Sequence, residues 1–415
     1  MATRASAHSV GAAVLKGLVA SQGDHPASID CGSCGKQALF HNHRSKQLLT
    51  AVGLIEYTRP YYFCSVCHQG QSPRDRELDV EGTTYSPAVR RMLATVGSES
   101  SFDRGREQME LLAGLEVTTK AVERQAEAIG EDIAKRDKAK IGDVLQLRLP
   151  LVIGPPITKM YIEMDGMHVP IVKADCIGRE GKIAGQPART REVKLGCVFT
   201  QTICDPNGWP IRDVSSTTYV GAIETAAEFG ARLYTEVWER GWSRAILKIV
   251  LGDGAIWIWN LAGQHFPGAI QIVDLYHARQ HIWGLAAKLF PGNDKLRKRW
   301  AKRLINKLNK GRIPSLVSEI RSFPTSDADL SKGLQTEAEY FEHNKNRMQY
   351  PKFRALGLFV GSGVIEAGCK TVIGSRLKQS GMFWTVRGAN SIIALRCNRF
   401  SSKFEDYWDN RSMAA

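Results

Sequence analysis

Apolar residues recur along this chain with two different periods, and the change from one to the other divides it. Between Phe102 and Ile129 the spacing is helical, in two segments, Phe102 to Leu112 and Val117 to Ile129, separated by Ala113-Gly114. This predicts a short helix, a glycine-containing turn and a second helix starting at Thr118-Thr119, the outline of a helix-turn-helix. Lys120 and Arg124 fall on the outer side of the second helix, where they either dock on DNA or face solvent on an ordinary helical hairpin. Ser86-Pro87 opens an earlier helical stretch, proline suiting the first helical position. The run Ala134 to Lys140 (AKRDKAK) reads as a charged linker.

From about residue 157 the period becomes two. Lys159 to Met164 alternates, with Met160, Ile162 and Met164 on one side, and ends in Asp165-Gly166. Arg191 to Cys204 repeats the pattern through Val193, Leu195, Cys197 and Phe199. A helix is expected through Ala222, Ala226, Phe229, Leu233 and Val237. Ala245 to Leu251 then reads as a buried strand ending in Gly252-Asp253-Gly254. A helical piece covers Ala255 to His265, and Ala269 to Val273 is a further strand ending in Asp274. Strand hairpins followed by helix, strand, helix, strand predict an α/β mixed sheet with several acids along one rim. From about 277 to 350 the pattern is purely helical, and a helix-forming pattern returns from about Val364.

The pattern divides the chain into a tail at 1–28, a cysteine module at 29–75, a helical region at 76–140, a mixed-sheet region at 141–290, a helical stretch at 291–355 and a closing helical segment at 356–415.

Composition narrows the function classes. The 415 residues are 43% apolar and 24% charged, ordinary for a globular protein, which excludes wholesale disorder and fibrous repeats. No apolar run reaches the roughly 18–20 residues of a spanning helix, and the first residues make a poor signal peptide. No membrane association is therefore expected. A net charge of +14 points to a polyanionic partner, of which nucleic acid is the commonest soluble kind. Nine Lys or Arg lie between Lys295 and Arg312 with no acid among them, Arg297, Lys298, Arg299, Lys302 and Arg303 included. Such a run is either a phosphate track or a solvated face. Arg376, Lys378, Arg387, Arg396 and Arg399 add basic residues near the end, of which Arg376 and Lys378 are expected DNA contacts.

Four of the nine cysteines form two pairs, Cys31-Gly32-Ser33-Cys34 and Cys64-Ser65-Val66-Cys67. An odd total without a secretion signal argues for a reducing cytoplasm rather than a disulfide framework. Two such knuckles aim four thiolates at one tetrahedral ion, as in a structural zinc ribbon. Gly53 to Phe63 supplies an aromatic-rich strand between them.

Asp165 and Asp253 each end a predicted strand before a glycine, and Glu366 stands at the start of a predicted helix. Hard oxygen ligands of this kind suit magnesium. Lys370, four residues on, either reaches a phosphate or pairs with Glu366. Asp274 and His277 form a DxxH element at the next strand end, in which His277 either supports the site or is structural. Glu163 shares a strand face with Asp165 and competes with it as a ligand, while Asp175, Asp205 and Asp213 look like loop acids.

YIEMDGMHVP around Asp165, KIVLGDGAIWIWN around Asp253, DLYHARQH (Asp274 to His281) and GSGVIEAGCKTVIGSRLKQSGMFW around Glu366 resemble bacterial insertion-sequence transposases of the ISKra group. The DxxH element resembles that of the wider Mutator-like assembly of DDE transposases. The resemblance implies a ribonuclease-H-like core interrupted by a helical insertion. It also implies a catalytic triad of Asp165, Asp253 and Glu366 using magnesium or manganese. The expected partners are the element's terminal inverted repeats, target DNA and a second copy of the chain in a homodimer. A domesticated DNA-binding regulator and a nuclease on the same scaffold remain the alternatives.

Overall fold

The structure, a computed structural model, describes residues 2–20, 25–146, 148, 150–181 and 186–412. The chain divides into two compact units, Met1–Ile133 with Ser402–Ala415, and Ala134–Ser401.

In the first unit, α1 (Ala2–Val19) is followed by an antiparallel sheet in the order β1 (Ser28–Asp30), β2 (Gln37–Thr50), β3 (Gly53–Phe63) and β4 (Gly70–Gln71). β3 has the bounds that its alternation predicts, and it pairs with β2 in a long hairpin from Thr50↔Gly53 to Leu39↔Phe63. Val19 of α1, Leu48, Ile55, Tyr57 and Val80 form one core under this sheet. α2 (Pro73–Glu77) carries the buried Asp75, which accepts hydrogen bonds from Lys46 Nζ (3.0 Å), Arg59 Nε (2.6 Å) and Tyr57 OH (2.9 Å). A buried carboxylate so fully paired escapes the penalty of an isolated charge.

α3 (Pro87–Glu99) and α4 (Phe102–Gln108) come next, the latter running into a π turn at Met109–Ala113 that Gly114 ends in the left-handed region (φ 67°). α5 then runs from Thr119 to Leu145. The expected linker Ala134 to Lys140 lies inside α5. Its alanines, lysines and arginine are good helix formers, and their charge does not outweigh that preference. Val89, Leu93, Met109, Leu115 and Val122 hold these helices together.

The final helix, Phe404–Ser412, belongs to this unit rather than to the core that was expected to end the chain. Tyr407 OH donates to Asp132 (2.7 Å), and Arg411 donates to Asp79 and Asp132 (2.9 Å each).

The second unit is built on a five-stranded mixed sheet. Its strands are β5 (Ile157–Pro170), β6 (Thr190–Gln201), β7 (Thr218–Ala222), β8 (Ala245–Gly252) and β9 (Ile270–Val273), in the order β7-β6-β5-β8-β9. β5, β6 and β7 form an antiparallel meander, and β8 and β9 run parallel to β5. β5 is buried on both faces from Lys159 to Met164 and is the centre of the sheet. β7, TYVGA, is too short and glycine-bearing to stand out in the sequence. It replaces the first turn expected of the next helix, so α6 (Ala226–Glu239) starts later, at a capping box made by Thr225 and Glu228.

α7 (Ile256–His265) connects β8 to β9, and α8 (Leu275–Leu289) follows β9. The helical region continues with α9 (Asp294–Asn309), α10 (Ile313–Arg321), α11 (Ala328–His343) and α12 (Tyr350–Ala355). α13 (Gly363–Gly368), a π turn at Cys369–Gly374, α14 (Ser375–Leu377) and α15 (Val386–Phe400) complete the unit. Among the described residues, no helix is long and apolar enough to cross a membrane.

Candidate active site and cysteine cluster

Strand register brings the acids to one edge. Asp165 does not end its strand: β5 continues to Pro170, with Asp165 opposite Leu195 of β6. Its other neighbour does end. The parallel pairing of β5 with β8 stops at Glu163↔Leu251, which sets Asp165 level with Asp253 just beyond β8. The β8 and β9 pairing closes at Gly252↔Val273, which sets Asp253 level with Asp274. Three aspartates thus form a row at the carboxyl ends of the parallel strands, beside the strand where the sheet changes direction. Such an edge is where open α/β sheets bind ligands.

The acids differ in what holds them. Asp165 and Asp253 are half-buried. Asp165 accepts from Gly166 N (2.7 Å) and the Cys369 thiol (3.4 Å). Burial pushes its carboxyl above the ordinary range, and the charges of Asp253 and Glu366 push the same way. Asp253 accepts from Ala255 N (2.8 Å).

Asp274 is fully buried and spoken for. Its Oδ1 accepts from His277 N (2.6 Å), capping α8, and its Oδ2 accepts from Ser362 N and from Ser362 Oγ (2.5 Å). Glu163, also fully buried, accepts from Ile365 N through Oε2 (2.8 Å), while Oε1 has no hydrogen-bond partner. Burial raises its carboxyl to about 8. Asp274 and Glu163 therefore pin the first turn of α13 to the sheet, one through Ser362 and the other through the residue before Glu366. Glu366 itself is exposed and accepts a 3.3 Å bond from Ser362 Oγ. Neither Ser362 nor the anchoring role of Glu163 carries a signal in the sequence, because both depend on chain more than 85 residues away.

The π turn after α13 changes the expected geometry of Lys370. An i→i+5 turn rotates the residues that follow relative to an α-helix. Lys370 is exposed and makes no ion pair with Glu366. The carbonyls released by this turn are satisfied from below: Arg396 donates to Val372 O (2.6 Å), Thr371 O (2.5 Å) and Ser375 Oγ (2.9 Å). Arg396 is accordingly buried, and Arg376 is too, at 1% exposure with its guanidinium over the Trp384 ring. The burial of Arg376 corrects its expected role as a DNA contact. Lys378 is exposed.

Among the expected phosphate contacts of α9, part of the charge is already answered. Arg297 and Lys298 pair with Asp294, one residue outside the basic run, and Arg303 and Lys307 pair with Glu319 of α10. Arg299 and Lys302 are exposed and make no such pair. Lys120 is exposed and pairs with Glu123 (2.8 Å), and Arg124 is exposed on the same helix.

His277, in the first turn of α8, is held by a polar chain. Its Nε2 lies 3.2 Å from His281 Nε2, and His281 Nδ1 lies 2.7 Å from Glu337 Oε2 on α11. His281 was visible in the DLYHARQH motif as i+4 from His277; Glu337 was not visible at all.

In the first unit the two cysteine knuckles close alike, Cys31 N donating to Lys36 O (2.7 Å) and Cys64 N to Gln69 O (2.9 Å). Gly35 takes the positive φ (68°) this turn requires. The sulfurs of Cys31, Cys34, Cys64 and Cys67 all lie within 4.8 Å of one another, with Cys31 to Cys67 at 3.5 Å and Cys34 to Cys64 at 3.7 Å. Tetrahedral zinc with Zn–S of about 2.3 Å needs sulfurs roughly 3.8 Å apart. Backbone N–H groups of Ser33 and Cys34 lower the Cys31 thiol to about 6, favouring the thiolate a metal takes. Among the described residues this is the one group of three or more His, Cys, Asp or Glu gathered closely enough to hold an ion as it stands. Asp165, Asp253 and Glu366 are near enough to feel one another's charge but are not drawn together to that degree.

No family model matches the chain. It is 26% identical over 349 residues, 81% of its own length and 69% of the relative's, to the "UPF0236 protein in vanSb 3'region" of Streptococcus gallolyticus. Among solved structures, the Drosophila P element transposase strand transfer complex aligns over 81% of this chain and 84% of that one, at 10% identity and a TM-score of 0.26. That superposition is too loose to carry weight.

Proposed function

We propose that this chain is a DNA transposase of the DDE type, with Asp165, Asp253 and Glu366 as its catalytic acids on a ribonuclease-H-like core. The observation that supports this most is the register of β5, β8 and β9. It sets Asp165 and Asp253 side by side at a strand-end edge, with the first turn of the Glu366 helix pinned beside them.

The donor set fits magnesium or manganese: three carboxylates, two of them half-buried, of which Asp165 holds its proton more tightly than usual because it is buried and also faces like charges. Once bound, the ions would neutralise those carboxylates and the phosphate's developing charge and would activate the attacking oxygen. Asp253 holds its place through a backbone N–H that leaves its other carboxylate oxygen for ligation, whereas the second oxygen of Asp165 would exchange the Cys369 thiol for the ion. Asp274 and Glu163 keep the Glu366 helix in place without facing the substrate. Water attacks the phosphorus at the element's end and breaks its P–O3′ bond, freeing a 3′-hydroxyl that then attacks a target phosphorus and expels the target strand's own 3′-oxygen. Of the expected contacts, Arg124, Arg299, Lys302 and Lys378 are exposed and available to phosphates, while Lys120 is exposed but pairs with Glu123. The cysteine cluster holds structural zinc.

Incubation of the full chain with candidate element ends and magnesium, with break positions mapped, tests this reading. Asp253→Asn should still bind ends but lose metal-dependent cleavage; normal cleavage by that variant removes Asp253 from the site. With pre-cut ends, joined product supports a transposase. Hydrolysis without joining means a nuclease, and end binding without either means a regulator.

A further inference from the structure

The helical insertion does more at this edge than lend charge. Tyr340 of α11 donates a hydrogen bond from its hydroxyl to the backbone carbonyl of Asp253 (2.9 Å). The next residue, Gly254, has φ 106°, and a Cβ there would lie 2.6 Å from Tyr340 Cε2. The turn that aims the Asp253 carboxylate is thus held from one side by the phenol and requires glycine for two independent reasons. On its other side the Tyr340 ring stacks on His281, with centroids 4.0 Å apart and planes 13° off parallel. Glu337 sits one turn earlier on α11 and takes His281 Nδ1.

The tautomers follow from the carboxylate. Glu337 can only accept while charged, so His281 carries its hydrogen on Nδ1 and offers Nε2 as an acceptor. His277 then donates from Nε2, and its Nδ1 has no protein partner among the described residues. Burial, with the charges of Asp253 and Asp274, raises the Tyr340 phenol and keeps it a neutral donor.

We propose that α11 is a positioning element of the acid site: Tyr340 fixes the Asp253 turn, and Glu337, through His281, fixes the orientation of His277. This rests on the acid-site reading above and adds that metal affinity depends on a hydroxyl in the insertion.

The test uses the full zinc-loaded chain and Mn²⁺ as probe, with free Mn²⁺ read by electron paramagnetic resonance and end-DNA binding measured in parallel. Tyr340→Phe should weaken Mn²⁺ binding about threefold to tenfold, the worth of one hydrogen bond, with end-DNA affinity unchanged. Glu337→Ala should leave the overall spectrum folded but move the His277 and His281 imidazole nitrogen resonances toward mixed tautomers. Wild-type Mn²⁺ affinity in Tyr340→Phe, alongside loss of binding in Asp253→Asn, overturns the Tyr340 role and leaves the acid site standing. Unmoved imidazole resonances overturn the Glu337 role. Failure of the wild type to bind Mn²⁺, or full Mn²⁺ binding by Asp253→Asn, overturns the acid site itself.

Discussion

Asp274 and Asp253 stand level on neighbouring strands, yet isosteric amide substitutions should separate them completely. In Asp274→Asn one end of the side chain still accepts from His277 N, and the NH₂ then meets the backbone N–H of Ser362, donor against donor. The Ser362 hydroxyl can turn to accept, so the net loss is one buried N–H left unsatisfied and a charged acceptor made neutral. An unsatisfied buried donor costs about 1–3 kcal/mol, and weakening the cap adds up to about 1. The sum, about 1–4 kcal/mol, is a sizeable share of the roughly 5–15 kcal/mol that holds a domain folded. In Asp253→Asn the amide oxygen keeps the bond from Ala255 N, the side chain is half-exposed, and a like charge beside Asp165 disappears. That change should stay within about 0.5 kcal/mol of wild type. Urea unfolding followed by tryptophan fluorescence reports on the right unit, since eight of the nine tryptophans lie in Ala134–Ser401. A cost below about 0.5 kcal/mol for Asp274→Asn, or a cost as large for Asp253→Asn, refutes the division into an anchoring acid and a ligating one.

Other outcomes follow from the same geometry. Metal analysis of purified protein should find about one zinc per chain, falling to near none in Cys64→Ser; absence of zinc after anaerobic preparation refutes the four-cysteine site. Burial lowers the imidazole pKa of His265, whose Nε2 has no hydrogen-bond partner, so the folded state protonates less readily than the unfolded chain. Stability should therefore be full above about pH 6.5 and fall as the solution is acidified below it. His265→Leu should flatten that slope in thermal scans, and an unchanged slope would assign the acid sensitivity elsewhere. On α9, Arg299→Gln and Lys302→Gln should each reduce the salt slope of DNA binding by about 0.9, whereas Arg303→Gln, already paired with Glu319, should change it less. Equal slopes in all three variants would mean that α9 does not meet phosphate.

What could be read in the sequence was what local pattern controls. Period-two runs mark β3 and β6, short apolar runs mark β8 and β9, and the glycine at 114 marks the turn between α4 and α5. β5 was seen but cut short at Asp165, because the alternation stops where half of the strand loses a neighbour while its hairpin partner continues. β7 escaped because five residues carry too little pattern. The charged run 134–140 misled because a linker and an exposed helical turn share a composition. Of the two readings of Lys370, the ion pair with Glu366 is not formed, because a π turn cannot be seen in spacing that assumes an α-helix. Arg376 was taken as a DNA contact on residue type alone, whereas it is buried on an indole ring, as Arg396 is on the carbonyls of the π turn. The anchors Ser362, Glu337 and Tyr340 were out of reach, since their meaning lies in partners on other elements.

The last helix has a consequence for how this polypeptide tolerates damage. Tyr407 and Arg411 serve Asp79 and Asp132, residues synthesised far earlier. A premature stop just past Ser401 would spare every acid of the sheet edge and yet strip the opposite end of the gene product of its closing strap. Conversely, a fragment cut after Ile133 would lose the Arg411 guanidinium that bridges Asp79 and Asp132, although Asp79 would keep its pairing with Arg90. To isolate that half intact, one would splice 402–412 onto it through a tether, treating the two distant stretches as a single folding cassette.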